Sequence, residues 1–183
     1  EGPRLPTTRS DRLRWRAQLG ISMLCRAFAA ATHPQDNASA ANSAEPAKIV
    51  GKTIQQRQFS LVERRDMVTL VMVWRADCFD CVITILDLRD NLRGWAQRPF
   101  GVVLVNLDKR REDAEGLAKS IERSARSDPR LVQLWAHEAG YEDNLTLRKQ
   151  SVLPVFYVVD KAGKVTARHH GKLTPEVWER IAF

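Results

Sequence analysis

From residue 49 onward, apolar runs of strand length alternate with charged stretches of helical period. MVTLVMVW (67–74) has no polar face and is rich in β-branched residues, which predicts a central strand buried on both sides. GVVLVNLD (101–108) and PVFYVVD (154–160) predict two more strong strands, the first of them buried. IVGKTIQQRQFSLVE (49–63) alternates loosely and predicts one or two short strands at a sheet edge. From Cys78, apolar positions at Val82, Ile85/Leu86, Leu88 and Leu92 recur near helical spacing, with Asp87, Arg89, Asp90 and Arg93 between them. Gly94 is a good stop for that helix.

Residues 111–126 are charged with sparse apolar positions and predict an exposed helix. Asp128-Pro129 breaks it, and RLVQLWAHEAG (130–140) reads as another helix with a glycine stop. Together these two make a helical insertion at about 111–140. NLTLRKQ (144–150) reads as a short turn or helix. KAG is a tight turn that returns KVTARHH (164–170) as an antiparallel strand. In TPEVWERIAF (174–183), Thr174 can cap, Pro175 suits the first helical position and Glu176 favours the positive end of the dipole. Strand–helix–strand order favours a right-handed crossover and a parallel central pair. The expected fold class is an α/β sandwich with a central mixed β-sheet flanked by helices.

The first 48 residues break this pattern. RLRWR (12–16) is basic and AQLGISMLCRAFAAA (17–31) is mostly apolar, ending in alanines. That order predicts a leader over 1–31, with cleavage near Ala29–Ala31 and an exported, periplasmic location. Arg26 interrupts the apolar middle, and the competing expectation is a basic tail on a cytoplasmic protein. Cys25 invites lipidation, but Leu24 stands where a lipoprotein signal wants a small residue. THPQDNASAANSAEPAK (32–48) is nearly empty of large apolar residues and predicts a disordered linker, so the folded domain is expected over 49–183.

Net charge is +7; six Arg against three acids put +3 of it in residues 1–44. The remaining +4 is mild, and no Lys/Arg cluster interleaves with aromatics, so nucleic acid is not an expected partner. No run of about 18 apolar residues occurs, so membrane association is expected only through the N-terminus.

The chemistry is carried by cysteine. Cys78 and Cys81 form a CxxC, and Cys25 is the only other cysteine. Cys78 falls where a buried strand ends and a helix begins, so free backbone N–H groups and the helix dipole stabilise its thiolate. The thiolate is the nucleophile of disulfide exchange. Cys81 lies about one turn on, on the same side, and can attack a mixed disulfide formed at Cys78. Arg75 favours the thiolate, while Asp77 and Asp80 oppose it. Two acids against one base tilt the pair toward a reductant. No cofactor is needed for this chemistry.

The order of elements resembles the thioredoxin-like superfamily, and VTLVMVWRADCFDC looks like its active-site strand and motif. SVLPVFYVVDKAGKV (151–165) looks like the second signature, an apolar residue and proline before a strand and hairpin. VGKTIQQRQFSL and the leader resemble the exported TlpA/ResA branch of thiol–disulfide oxidoreductases. The resemblance covers about residues 49–183. It implies a cis Pro154 lying against the cysteines. It further implies a substrate groove shared by Pro154, Leu153, Phe79 and Trp74, with Arg75, Asp77 and Asp80 tuning the pair. The implied partners are disulfide-bearing exported proteins and an upstream dithiol electron donor. Three positions depart from the family: Asp77 replaces the usual Trp before the first cysteine, Met72 the buried acid of the active-site strand, and Thr84 the branch's Glu after the second cysteine.

Rival chemistries fit less well. Structural zinc needs four ligands, and only one CxxC is present, with His137, His169 and His170 as remaining candidates. A Sco-like copper carrier shares the fold, but its cysteines resemble CxxxC and its His precedes the strand placed here at 155–159, where none stands. A Cys-nucleophile hydrolase needs a His base that no spacing supplies. In a redox-inactive binding module the cysteines would be buried small hydrophobes, which the flanking Asp77 and Asp80 oppose. Trp74, Trp95, Trp135 and Trp178 otherwise read as packing residues.

Overall fold

The computed structural model describes residues 45–124 and 128–182. The leader, Cys25 and the linker up to residue 44 lie outside the described residues. Among the described residues, eight strands and three helices run in the order β1 (Ile49–Lys52), β2 (Gln58–Ser60), β3 (Val68–Trp74), α1 (Phe79–Gly94), β4 (Phe100–Asn106), α2 (Arg111–Ser124), β5 (Leu131–Trp135), β6 (Glu142–Asp143), β7 (Val155–Val159), β8 (Val165–His170) and α3 (Pro175–Ala182). Short 3-10 turns occupy Leu61–Arg64 and Leu147–Lys149.

The main sheet has the order β5-β4-β3-β7-β8. β3, β4 and β5 are parallel, while β7 runs antiparallel to β3 and β8 antiparallel to β7. Residues 70–74 of β3 are all 0–1% exposed, which is why that run shows no polar face. Leu70, Met72 and Trp74 point to one side, where they pack with Cys81, Ile85, Leu88 and Leu92 of α1 and Val177 of α3; Leu117 of α2 joins this side. Val71 and Val73 point to the other, against Ile49, Phe59, Leu61, Tyr141 and Leu147. The mixed central sheet is therefore covered by helices on one face and by the small β2-β1-β6 sheet with the two 3-10 turns on the other.

Three expectations need correction. Residues 131–135 form strand β5, not a helix, and pair in parallel with β4 from Val102↔Leu131 to Asn106↔Trp135. The apolar positions 131, 132, 134 and 135 satisfy either period over so short a run, and the open edge of β4 decides between them. The segment 111–140 is accordingly helix α2 followed by an edge strand of the main sheet, rather than a helical insertion. Second, β1 and β2 do not edge the main sheet but build a separate sheet with β6, and among the described residues the bridge Thr53↔Leu134, just after β1, links it to β5. Third, the fold begins before Ile49: Ala47 is 3% exposed, and its N–H donates to Gly163 O at 2.7 Å. Gly163 sits at φ +82, a conformation costly for other residues, in the turn closed by Asp160.

Arg130 ties β5 to α1. Its guanidinium donates to the carbonyls of Leu92 (2.6 Å) and Trp95 (2.7 Å) at the helix C-terminus and pairs with Asp128 at 2.6 Å. The Arg130 hydrogen bond holds the Asp128 carboxyl below its usual range. A depressed folded value means the pair stabilises the fold at neutral pH, and the contribution is lost as pH falls through that value. Arg130→Ala should therefore lower stability at neutral pH. The gap to wild type, read by urea unfolding, should narrow below about pH 4. A gap independent of pH would show that the carbonyl contacts alone carry Arg130's contribution.

Candidate active site

The three parallel strands end in a row: Trp74 of β3 beside Asn106 of β4, and Asn106 beside Trp135 of β5. In open α/β sheets this carboxyl end is where sites are built. Residues 75–77 turn the chain out of β3, and Cys78 becomes the N-cap of α1 in extended conformation. Its Sγ accepts the Cys81 N–H at 3.2 Å, satisfying one of the helix's otherwise unpaired amides. Cys78 and Cys81 are joined by a disulfide, their Cα atoms 5.2 Å apart. The two sulfurs differ in access: Cys78 is half-buried, whereas Cys81 is 0% exposed under the helix. The same amide that bonds Cys78 Sγ here is positioned to stabilise negative charge on that sulfur once the disulfide opens.

The tuning charges are arranged otherwise than their count suggests. Arg75 binds Asp77 through two hydrogen bonds, 3.0 and 3.2 Å, so these two largely cancel each other. Asp80 is exposed in the first turn of α1, with no such side-chain partner among the described residues. At Thr84 the hydroxyl donates to Asp80 O at 2.7 Å, a closed local bond in a buried position.

The second signature reaches the same end of the sheet. Val155 pairs with Val73 in antiparallel register, so Pro154 comes level with Trp74, the last residue of β3, and Leu153 level with Arg75. The Leu153–Pro154 peptide is cis. Pro154 is buried, and its carbonyl accepts the Gly171 N–H at 2.8 Å. Leu153 is half-buried and packs against both core clusters. Phe79 and Val152 are 77% and 59% exposed, unusual for large apolar side chains. Trp74, expected in the groove, is 1% exposed inside the core, so it cannot touch a substrate and the packing role holds instead.

Asn106 and Asp108 near the site are not singled out by the sequence, and Trp135, read as a packing residue, has a polar role beside them. Asp108 Oδ2 accepts the Ala76 N–H at 2.8 Å and Asn106 Nδ2–H at 2.7 Å. The Asp108 N–H donates to Asn106 Oδ1 at 2.9 Å, and its carbonyl accepts Trp135 Nε1–H at 2.7 Å. The signal is the polar pair in VNLD, closing an otherwise apolar strand that ends level with Trp74, at the end of the strand that leads to Cys78. Among the described residues, no group of three or more His, Cys, Asp or Glu side chains is placed to hold a metal ion, and no helix is long and apolar enough to cross a membrane.

No protein-family model and no curated protein sequence matches the chain. Solved structures do. A thiol:disulfide interchange protein of the thioredoxin family from Chlorobium tepidum superposes with a TM-score of 0.57 at 17% identity, covering 76% of this chain and 96% of its own. StoA from Bacillus subtilis gives 0.59 at 15% identity, covering 77% and 100%. The pneumococcal exposed lipoprotein thioredoxin from Streptococcus pneumoniae gives 0.54 at 14%, covering 73% and 96%. The chain has the thioredoxin fold.

Proposed function

We propose that this chain is a thiol–disulfide oxidoreductase in which Cys78 attacks and Cys81 resolves. The observation that carries the reading is the asymmetry of the pair. One cysteine is half-buried at a helix N-terminus with an amide aimed at its sulfur, and the other is fully buried within bonding reach.

In the reduced protein, Cys78 thiolate attacks one sulfur of a substrate disulfide. The substrate S–S bond breaks, and the released substrate thiolate takes a proton from solvent. Cys81 then loses its proton and attacks Cys78 Sγ, which expels the second substrate thiol and leaves the Cys78–Cys81 disulfide. The substrate gains two electrons and the chain loses two, so a dithiol donor must reduce the pair before the next turn. The half-buried Leu153 and the exposed Phe79 would offer the surface on which a substrate segment lies beside Cys78, with the buried cis-Pro154 shaping that loop.

Net reduction is favoured by Asp80, whose charge opposes the thiolate and so makes the reduced form less favourable. Export is supported by the basic-then-apolar order of residues 12–31 and by the exposed location in the name of the pneumococcal relative in fold. Disulfide-bearing exported proteins are the substrates that follow.

The test is the redox equilibrium of the pair in the full-length protein, read by alkylation and peptide mass across defined thiol buffers. The expected result is a single two-electron transition at or below about −220 mV; a value nearer −120 mV would make the protein an oxidant. If no disulfide forms between Cys78 and Cys81, the oxidoreductase reading fails, and a redox-inactive module or a copper carrier takes its place.

A further inference from the structure

The loop that delivers Cys78 to its helix is short, and little else holds it. Its one internal backbone bond runs from the Cys78 N–H to Arg75 O at 3.2 Å. The Arg75–Asp77 pair is solvent-exposed, a class of contact that contributes little order. The remaining tether comes from outside the loop, where the Ala76 N–H meets the Asp108 carboxylate. Asp108 is in turn gripped from both ends. Asn106, 1% exposed, bonds its carboxylate and its amide, while the Trp135 indole bonds its carbonyl. Trp135 itself lies under the Arg111 guanidinium, 5.8 Å from the ring centroid, and Arg111 pairs with Glu115 and Glu138. A carboxylate braced this thoroughly, accepting a backbone N–H two residues before the nucleophile, is built to fix a backbone.

The geometry points to Asp108 as a positioning residue that holds the β3–α1 loop so that Cys78 Sγ faces the first free amides of α1. This rests on the reading of Cys78 as the nucleophile. Asp108 touches neither sulfur in this role. It acts through Ala76 on where Cys78 sits, and therefore on how much of its thiolate the helix N-terminus stabilises. Its own negative charge pushes the other way, so a test must separate hydrogen bond from charge.

Both contacts to the Asp108 side chain converge on one oxygen, Oδ2. Asp108→Asn can therefore keep both hydrogen bonds while losing the charge, and Asp108→Ala loses both. Full-length protein, reduced, is pulsed with iodoacetamide across a range of pH, and the Cys78 peptide is quantified by mass. Any shift shared by D108N and D108A reports the charge, and the difference between them reports the clamp. The expected result is a D108A alkylation midpoint above that of D108N and a rate at neutral pH about tenfold lower. Coincident D108N and D108A profiles overturn the proposal. If D108A does not fold, Trp135→Phe carries the same test: it frees the Asp108 carbonyl but keeps a ring under Arg111. Alkylation in W135F should slow about threefold. A W135F profile superimposed on wild type would then overturn it. Alkylation reads Cys78 directly, so a wild-type protein that fails to exchange disulfides defeats the proposed function and leaves this comparison intact.

Discussion

Cys78→Ser is expected to cut reduction of a model protein disulfide by at least about a thousandfold, to the uncatalysed background, because a serine hydroxyl cannot replace a thiolate nucleophile. Cys81→Ser should lose turnover as completely but by a different route. Its Cys78 still attacks, and the mixed disulfide, with no resolving thiol beneath it, persists. Non-reducing electrophoresis with a disulfide-bearing protein substrate separates the two. C81S should give a reducible conjugate to Cys78, and C78S should give none. The direction follows from access, since the buried sulfur of Cys81 cannot reach an external disulfide first. A conjugate that forms through Cys81 in the C78S protein would reverse the assignment of roles. Equal activity in both variants would remove the cysteines from the mechanism.

Phe156→Ala should be the most damaging of the core substitutions near the site, at about 3–5 kcal/mol. Phe156 is 0% exposed in β7, paired with Met72 on one side and His169 on the other, and it packs into the cluster that contains Cys81 and the buried face of α1. Removing the ring leaves a cavity that rigid strands on both sides cannot collapse. Domains are commonly stable by only about 5–15 kcal/mol, so the loss should show as a large fall in the urea midpoint with little change in slope. Phe156→Leu keeps most of the volume and should cost roughly half as much or less. If the alanine variant lost under about 1 kcal/mol, Phe156 would not be filling the space assigned to it.

Much of this was legible from local pattern. β3, β4 and β7 are long apolar runs that only a sheet covered on both faces can bury, and Cys78 at the end of one run and the start of a helical period marked the site. Leu-Pro ahead of a strand and tight turn marked the second half of the site in the same way. Leu131–Trp135 fits a helix or a strand because five residues do not separate the two, and the deciding factor, a free edge on β4, lies almost thirty residues away along the chain. The family resemblance implies a groove position for Trp74, but nearness to a motif does not say which face a strand residue presents. Alternation along β3 turns its indole inward with Leu70 and Met72.

Residue types and their spacing determined the elements, their order and the pair of thiols, since propensity, capping and hydrophobic period act over one or two turns. Tertiary structure decided what those thiols differ in. Burial made Cys81 inaccessible and left Cys78 only half-buried, and strand register set Asn106 between Trp74 and Trp135 so that Asp108 could reach Ala76. It also paired Arg75 with Asp77. Such distances arise only when segments far apart in the chain share one packed sheet, and no local rule encodes them.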